Sequence, residues 1–372
     1  MMTQTLAILL DAYRELQSKK MFWVVLTLNL LAICGFAIIG ANDHTITVLW
    51  FEPLGDMTAG GTDPHVLYKI VYSYFIVGFW LTWLASLLAL ISTAGIFPDF
   101  LSSGSVDLFL ARPITRLRLF FTKYFAGMLF VTLQVSVFTV LSFLVLGIRA
   151  GIWQLGLLWA IPLVVLFFSY LFSICVLLGT LMRSTVAALL LTILAWFGIW
   201  AVDRGESVVL TYRQGLELRQ AYLDDEIEAK DAQIAKLGSD PGNTSQLDLA
   251  KSQRNDLADE RKKLEISPAL TTAENVAFGI KSLVPKTRET INLLDRVLFT
   301  DKDLQESSKH DDAAASQPEF GPRRGGPRFE ARRSDQIKRD RQRSVWWIIG
   351  TSLLFEAVVL ALAAWHFCTR DF

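Results

Sequence analysis

Apolar runs at about 22–40, 67–92, 119–147, 155–181, 185–202 and 345–367 alternate with short polar breaks along most of the chain. Each run approaches or exceeds the roughly 20 residues a helix needs to cross ~30 Å of hydrocarbon, with 185–202 the shortest. The pattern predicts six spanning helices. Trp23, Trp50, Trp153, Trp200 and the pair Trp346–Trp347 stand at the ends of these runs, where indole favours the membrane interface. Ahead of the first run, residues 1–21 place Leu6, Leu9, Leu10, Tyr13 and Leu16 on one helical face. Asp11, Arg14, Glu15, Lys19 and Lys20 cover much of the rest, so this segment reads as an amphipathic helix lying in the interface. No charge precedes Leu6, unlike the start of a signal peptide.

The long polar interval 204–344 breaks the rhythm. It holds 25 of the 36 Lys and Arg residues and 25 of the 36 Asp and Glu residues. Within it, Leu216, Leu223, Ile227, Ile234 and Leu237 recur at near-heptad spacing, Gly238–Asn243 (GSDPGN) signals a turn, and Leu247, Ala250, Leu257 and Leu264 continue a thinner seam. The pattern predicts an antiparallel helical hairpin or coiled coil over 204–304. Shorter amphipathic helices complete that interval, with Ile291, Leu294 and Leu298 on one face. From 305 to 344 the composition turns to Ser, Asp, Gly, Pro and Arg, which reads as a disordered linker before the last span and tail at 345–372.

Composition agrees with this layout: 52% of the 372 residues are hydrophobic, 19% are charged and the formal net charge is zero. That balance gives no support to a nucleic-acid partner. Short-loop charges set the orientation. Arg14, Lys19, Lys20, Arg112, Arg116, Arg118, Arg183 and Arg370 lie on one side, whereas residues 41–66 have no Lys or Arg and 148–154 has only Arg149. The positive-inside rule puts both termini in the cytoplasm of a bacterial-type inner membrane and 204–344 outside it. The basic run Arg332–Arg343 before the last span opposes this, although long loops translocate largely regardless of charge. The rival layout makes 185–202 a re-entrant hairpin and leaves the insertion in the cytoplasm. The expected class is therefore an all-α integral membrane protein, with six transmembrane helices and an inserted extracytoplasmic hairpin.

The loop 93–118 concentrates the interesting chemistry. Phe97, Asp99, Phe100 and Leu101, then Gly104, Leu108, Phe109 and Leu110, mix apolar and polar positions as a short amphipathic helix does. Pro113, lacking an N–H, bends the chain before the next run, and Arg112, Arg116, Arg118 and Lys123 follow the interface. The string GSVDLFLARPITRLRLFFTKYFAG resembles the first cytoplasmic loop of permease subunits of ABC-type exporters, in the branch of multi-copper enzyme maturation permeases. Asp99 stands near that family's acidic position, Gly104–Ser105 replaces Gly-Thr, and Ala111-Arg112-Pro113-Ile114-Thr115-Arg116 matches well, whereas Thr122–Lys123 departs from Gly-Lys. The ending WHFCTRDF is similar to the family's Arg-Asp-Leu-type tail. The resemblance implies that Phe97, Asp99, Phe100, Gly104, Leu108, Arg112, Pro113, Arg116 and Lys123 form a coupling helix that docks a separate ATPase subunit. It also implies ATP-Mg on that subunit, none on this chain, and a second permease subunit beside this one. The bland alternative is a loop whose arginines merely obey the positive-inside rule.

Nothing else in the chain points to bond chemistry. A GxxxxGK[ST] phosphate loop is absent, and LSSGS at 101–105 lacks the second Gly and the Gln of an LSGGQ signature. His44, His65, Asp43 and Asp63 share one outer loop without metal-site spacing, and Cys34, Cys175 and Cys368 read as small apolar fillers. No metal site is expected. Asn29, Gln134 and Glu356 lie at depth within apolar runs, where a polar group either joins helices or lines a path. The functional alternative to transport is a membrane anchor or scaffold whose coiled coil binds envelope partners.

Overall fold

A computed structural model describes residues 20–41, 46–48, 72–102, 115–151, 153–238, 244–264, 267–298 and 344–369. Residues 1–19 of the interfacial helix expected over 1–21, the histidines His44 and His65, and residues 305–343 of the linker expected over 305–344 lie outside these residues. The described chain is helical apart from one small ribbon. Helix α1 spans Lys20–Ala37, and strands β1 (Ile39–Ala41) and β2 (Ile46–Val48) pair antiparallel, with Ile39 opposite Val48. Then come α2 (Tyr72–Ala85), α3 (Ser86–Thr93), α4 (Ile96–Ser102), α5 (Arg116–Ala150), a tight turn at Leu155–Trp159 and α6 (Ala160–Met182). Helices α7 (Thr185–Gly238), α8 (Thr244–Lys263), α9 (Pro268–Leu283), α10 (Thr287–Leu298) and α11 (Val345–Thr369) complete the order.

Among the described residues, five helical stretches are long and apolar enough to cross a membrane: Phe75–Leu101, Arg116–Ala150, Leu155–Met182, Thr185–Leu237 and Val345–Thr369. The first apolar run yields a shorter helix, Phe22–Ala37, so the count of six rests on a segment below that length. Their outer faces carry Leu31, Phe79, Phe125, Leu194 and Leu354 exposed, the surface of a protein whose solvent is hydrocarbon. Their inner faces bury hydroxyls instead. Thr93, Thr180, Thr192 and Ser352 each donate to a carbonyl three or four residues back, which satisfies the group without a neighbour.

Helix α2 departs from regular geometry. Its backbone bonds skip five residues, a wide form seldom seen beyond one turn. The side chains follow suit: Thr82 Oγ1 donates to Val77 O and Ser86 Oγ to Leu81 O, each five residues back. At Ser86 the chain tightens into α3 without a break.

The chain divides into two units, one of Met1–Phe197 with Pro285–Phe372 and one of Gly198–Val284. The division places α10 with the membrane-spanning body, so the insertion expected over 204–304 splits at 284 rather than ending at 304. The cause is the apolar face of α10: Ile291, Leu293, Leu294 and Leu298 are buried there. On water-transfer scales each is worth about 1.5–3 kcal/mol relative to exposure.

Polar side chains at helix ends and in one connection cap the helix ends of this body. A helix leaves its last carbonyls without intrahelical donors, and a cation there also meets the negative end of the dipole. Arg149 donates from Nε to Ala37 O at 2.9 Å and from Nη2 to Ile38 O at 3.1 Å, closing α1. Gln154 Nε2 donates to Leu298 O at 2.8 Å, closing α10. Arg116 Nη1 donates to Cys368 O at 3.3 Å, near the end of α11. Arg149, the one cation of the 148–154 loop, thus has a structural task.

In the second unit, α7 and α8 run antiparallel, joined through 239–243. Gln220 Nε2 donates to Leu264 O, Asp224 pairs with Arg261 and Asp231 with Arg254, so positions along one helix meet positions in reverse order on the other. The Arg261 hydrogen bond holds the Asp224 carboxyl below its ordinary range. Leu223 and Ala250 supply buried apolar positions of the predicted seam.

Candidate functional site

The predicted coupling segment begins with α4, and packing fixes that helix. Pro98 is tolerated because it falls in the first turn, where its missing N–H costs no bond. Two glycines let α4 approach. A Cβ at Gly179 of α6 would meet Pro98 Cδ at 3.2 Å, and one at Gly127 of α5 would meet Phe172 Cζ at 2.7 Å and Ile96 Cδ1 at 3.0 Å. Phe97 and Phe100 then turn inward, with only 2% and 6% of their surface exposed. Phe97 packs on Phe120 with centroids 5.1 Å apart, and Phe100 stacks near Phe367 at 6.4 Å. Lys123 is also buried, its ammonium 5.4 Å from the Phe100 ring centre.

The structure therefore sorts the predicted docking residues. Phe97, Phe100 and Lys123 hold the segment against the body, so their side chains are not offered to a partner in this arrangement. Asp99 is exposed and accepts from Thr185 Oγ1 at 3.2 Å, at the start of α7. Arg116 is partly exposed and reaches Cys368 O. Thus α4, the beginnings of α5 and α7, and the end of α11 meet at one end of the body. Gly104, Leu108, Arg112 and Pro113 lie outside the described residues.

The three deep polar residues do not form one cluster. Glu356, near the middle of α11, accepts from Tyr124 Oη of α5 at 2.7 Å and from Ser169 Oγ of α6 at 2.8 Å. This carboxyl joins three helices. Asn29 Oδ1 of α1 accepts from Trp80 Nε1 of α2 at 3.0 Å. Gln134 of α5 is 3% exposed and lines a small cavity with Asn29 and Ser86.

Sequence reasoning missed the partners Tyr124, Ser169 and Trp80, because Tyr, Ser and Trp are ordinary residues of apolar spans. It also missed a buried charge group in the second unit. Lys281 of α9 pairs with Glu206 and lies 3.7 Å from Asp203, both on α7. The spacing of Asp203 and Glu206 puts them on one helix face, which was a usable signal. In the membrane-spanning body, Lys286 is fully buried with its ammonium 4.5 Å from the Trp347 ring centre, and its N–H donates to Ser352 Oγ at 2.9 Å. Among the described residues no three His, Cys, Asp or Glu side chains converge as a metal site.

These features define a multi-helix membrane protein with a helical hairpin unit. A family model described as "Protein of unknown function (DUF2705)" matches residues 30–203, just under half of the chain. The matched stretch runs from α1 into the first part of α7 and includes the 93–118 loop. It leaves out α8 to α11. No curated protein and no solved structure matches the chain.

Proposed function

We propose that this chain is the membrane-spanning permease subunit of an ABC-type transporter, an exporter by resemblance. It couples ATP hydrolysis on a separate subunit to the passage of cargo. The observation that carries the reading is the string Ala111-Arg112-Pro113-Ile114-Thr115-Arg116, which leads directly into α5. The packing of α4 supports it: a short helix clamped between α5 and α6 transmits a push at its exposed side to both. In this reading α1 crosses the membrane with the five longer segments, both termini are cytoplasmic, and the hairpin lies outside the inner membrane. A second permease subunit completes the path, and this chain performs no bond chemistry.

Purification of the tagged full chain should bring down an ATPase subunit bearing a phosphate loop. Arg112→Glu with Arg116→Glu should weaken that capture while membrane insertion persists. Because Arg116 also caps α11, Arg112→Glu alone serves as the cleaner variant and should show part of the loss. Wild-type capture by both variants would sink the coupling role.

The second reading is a membrane anchor whose hairpin unit binds envelope partners. It is favoured by Val276, Phe278, Ile280 and Leu283 of α9, which are exposed. Capture of an envelope protein through 244–283, with no ATPase, would support it over transport.

A further inference from the structure

The cavity beside Gln134 lies among α1, α2, α3, α5 and α6, within the apolar thickness of the membrane-spanning body. Leu81, Ala85 and Ser86 border it where the wide helix α2 tightens into α3, and Asn29, Gln134, Val131 and Phe168 close the rest. The gap thus lies at the change of helical width, a place where backbone geometry is irregular. The free space is about 10 Å³, which is room for one water and little else.

Its polar lining is incomplete. Gln134 Nε2 is buried and has no hydrogen-bond partner. A primary amide in such surroundings is costly unless something accepts its protons. Asn29 Oδ1 already accepts from Trp80 but retains a lone pair, and Ser86 Oγ donates to Leu81 O while keeping its own acceptor capacity. The site offers one donor and two acceptors. It has no carboxylate and no cation among its lining residues, so it suits a neutral species that both accepts and donates.

We propose that this cavity is a binding site for a single water molecule. Gln134 Nε2 donates to the water oxygen, and the water donates to Ser86 Oγ and Asn29 Oδ1. The water bridges polar groups of α1, α3 and α5 and satisfies the amide. This assignment is independent of the transport reading.

Hydroxyl-radical footprinting of the full chain in lipid nanodiscs tests it, because radicals formed from a bound water label the side chains around it. Phe168 and Phe120 are both fully buried, but only Phe168 lines the cavity. Phe168 should be labelled faster than Phe120, because an ordered internal water lies beside it alone. Gln134→Leu should abolish the excess labelling and should not raise the melting temperature, because it removes a satisfied group. Equal labelling of the two phenylalanines in the wild-type chain would overturn the proposal. So would excess labelling that survives Gln134→Leu, or a Gln134→Leu chain that melts higher than wild type, the mark of a dry and unsatisfied amide.

Discussion

Replacing Glu356 by Leu removes the one acceptor shared by three helices, and the cost can be worked from its bonds. Polar contacts between helices within membranes average about 0.6 kcal/mol and reach about 1.7. Glu356 makes two, with Tyr124 and Ser169, so Glu356→Leu should destabilise the body by about 1–3 kcal/mol. The two donors suffer unequally. Ser169 Oγ has a single proton and a second acceptor in reach, Leu166 O at 2.8 Å, to which it turns when the carboxyl is gone, whereas Glu356 is the acceptor for Tyr124 Oη. Adding Tyr124→Phe should therefore restore part of the loss, because removing both partners of a buried bond costs less than orphaning one. The double variant should be more stable than the sum of the singles by about 1 kcal/mol. Glu356→Gln retains one acceptor oxygen and should fall between wild type and Leu. Reversible unfolding by steric trapping in bilayers gives all four free energies. Strict additivity, or a Leu variant as stable as wild type, would refute the account. A stable Gln variant that has lost transport would instead show that the carboxyl works in gating rather than in packing.

Three further outcomes are expected. Gly179→Val should drive α4 off α6, because Pro98 is already in contact with a Cβ built there; in a chain freed of its native cysteines, Phe97→Cys should then become reactive to maleimide. A single Cys at Ser239 in the same background should react with an impermeant maleimide in intact spheroplasts, and labelling only after lysis would place the hairpin in the cytoplasm. Asp224 is held below its ordinary range by Arg261, so its contribution is present above the unfolded carboxylate pKa and is lost as pH falls through the folded one. The melting advantage of the full chain over Asp224→Asn should accordingly persist from pH 5 to 8, shrink in high salt and vanish in strong acid.

The spanning helices were legible because hydrocarbon imposes a length and a composition that few other environments demand. The α7–α8 hairpin was legible because Leu223 and Ala250 belong to a repeating seam and GSDPGN interrupts it. What the pattern did not specify was the partner of each face. Ile291, Leu294 and Leu298 announce an amphipathic helix, but they would read the same against a coiled coil or against the membrane body. The structure chooses the body and so moves the unit boundary to 284. Arg149 and Arg116 show the same limit for charge. Both count equally as loop cations, yet each serves as a cap, for α1 and α11, reaching acceptors 112 and 252 residues away.

The aromatic residues of the 93–118 loop carry this furthest. Phe97 and Phe100 were expected in a surface for a partner, because the resemblance of this loop to a coupling helix implies one. The cover is internal: Phe120 packs on Phe97, Phe367 and the Lys123 ammonium lie against Phe100, and Gly127 and Gly179 make the room. This shifts the chemistry of any docking from apolar to charged, toward Asp99 and the arginines. An interface of that kind weakens with ionic strength, whereas one built on buried phenylalanines does not. Capture of the proposed ATPase subunit measured across salt concentrations therefore discriminates between the two. Binding that falls steeply between low and moderate salt agrees with α4 as packed here. Binding indifferent to salt would require Phe97 and Phe100 to swing outward, and the seat on Gly127 and Gly179 would then belong to a different state of the protein.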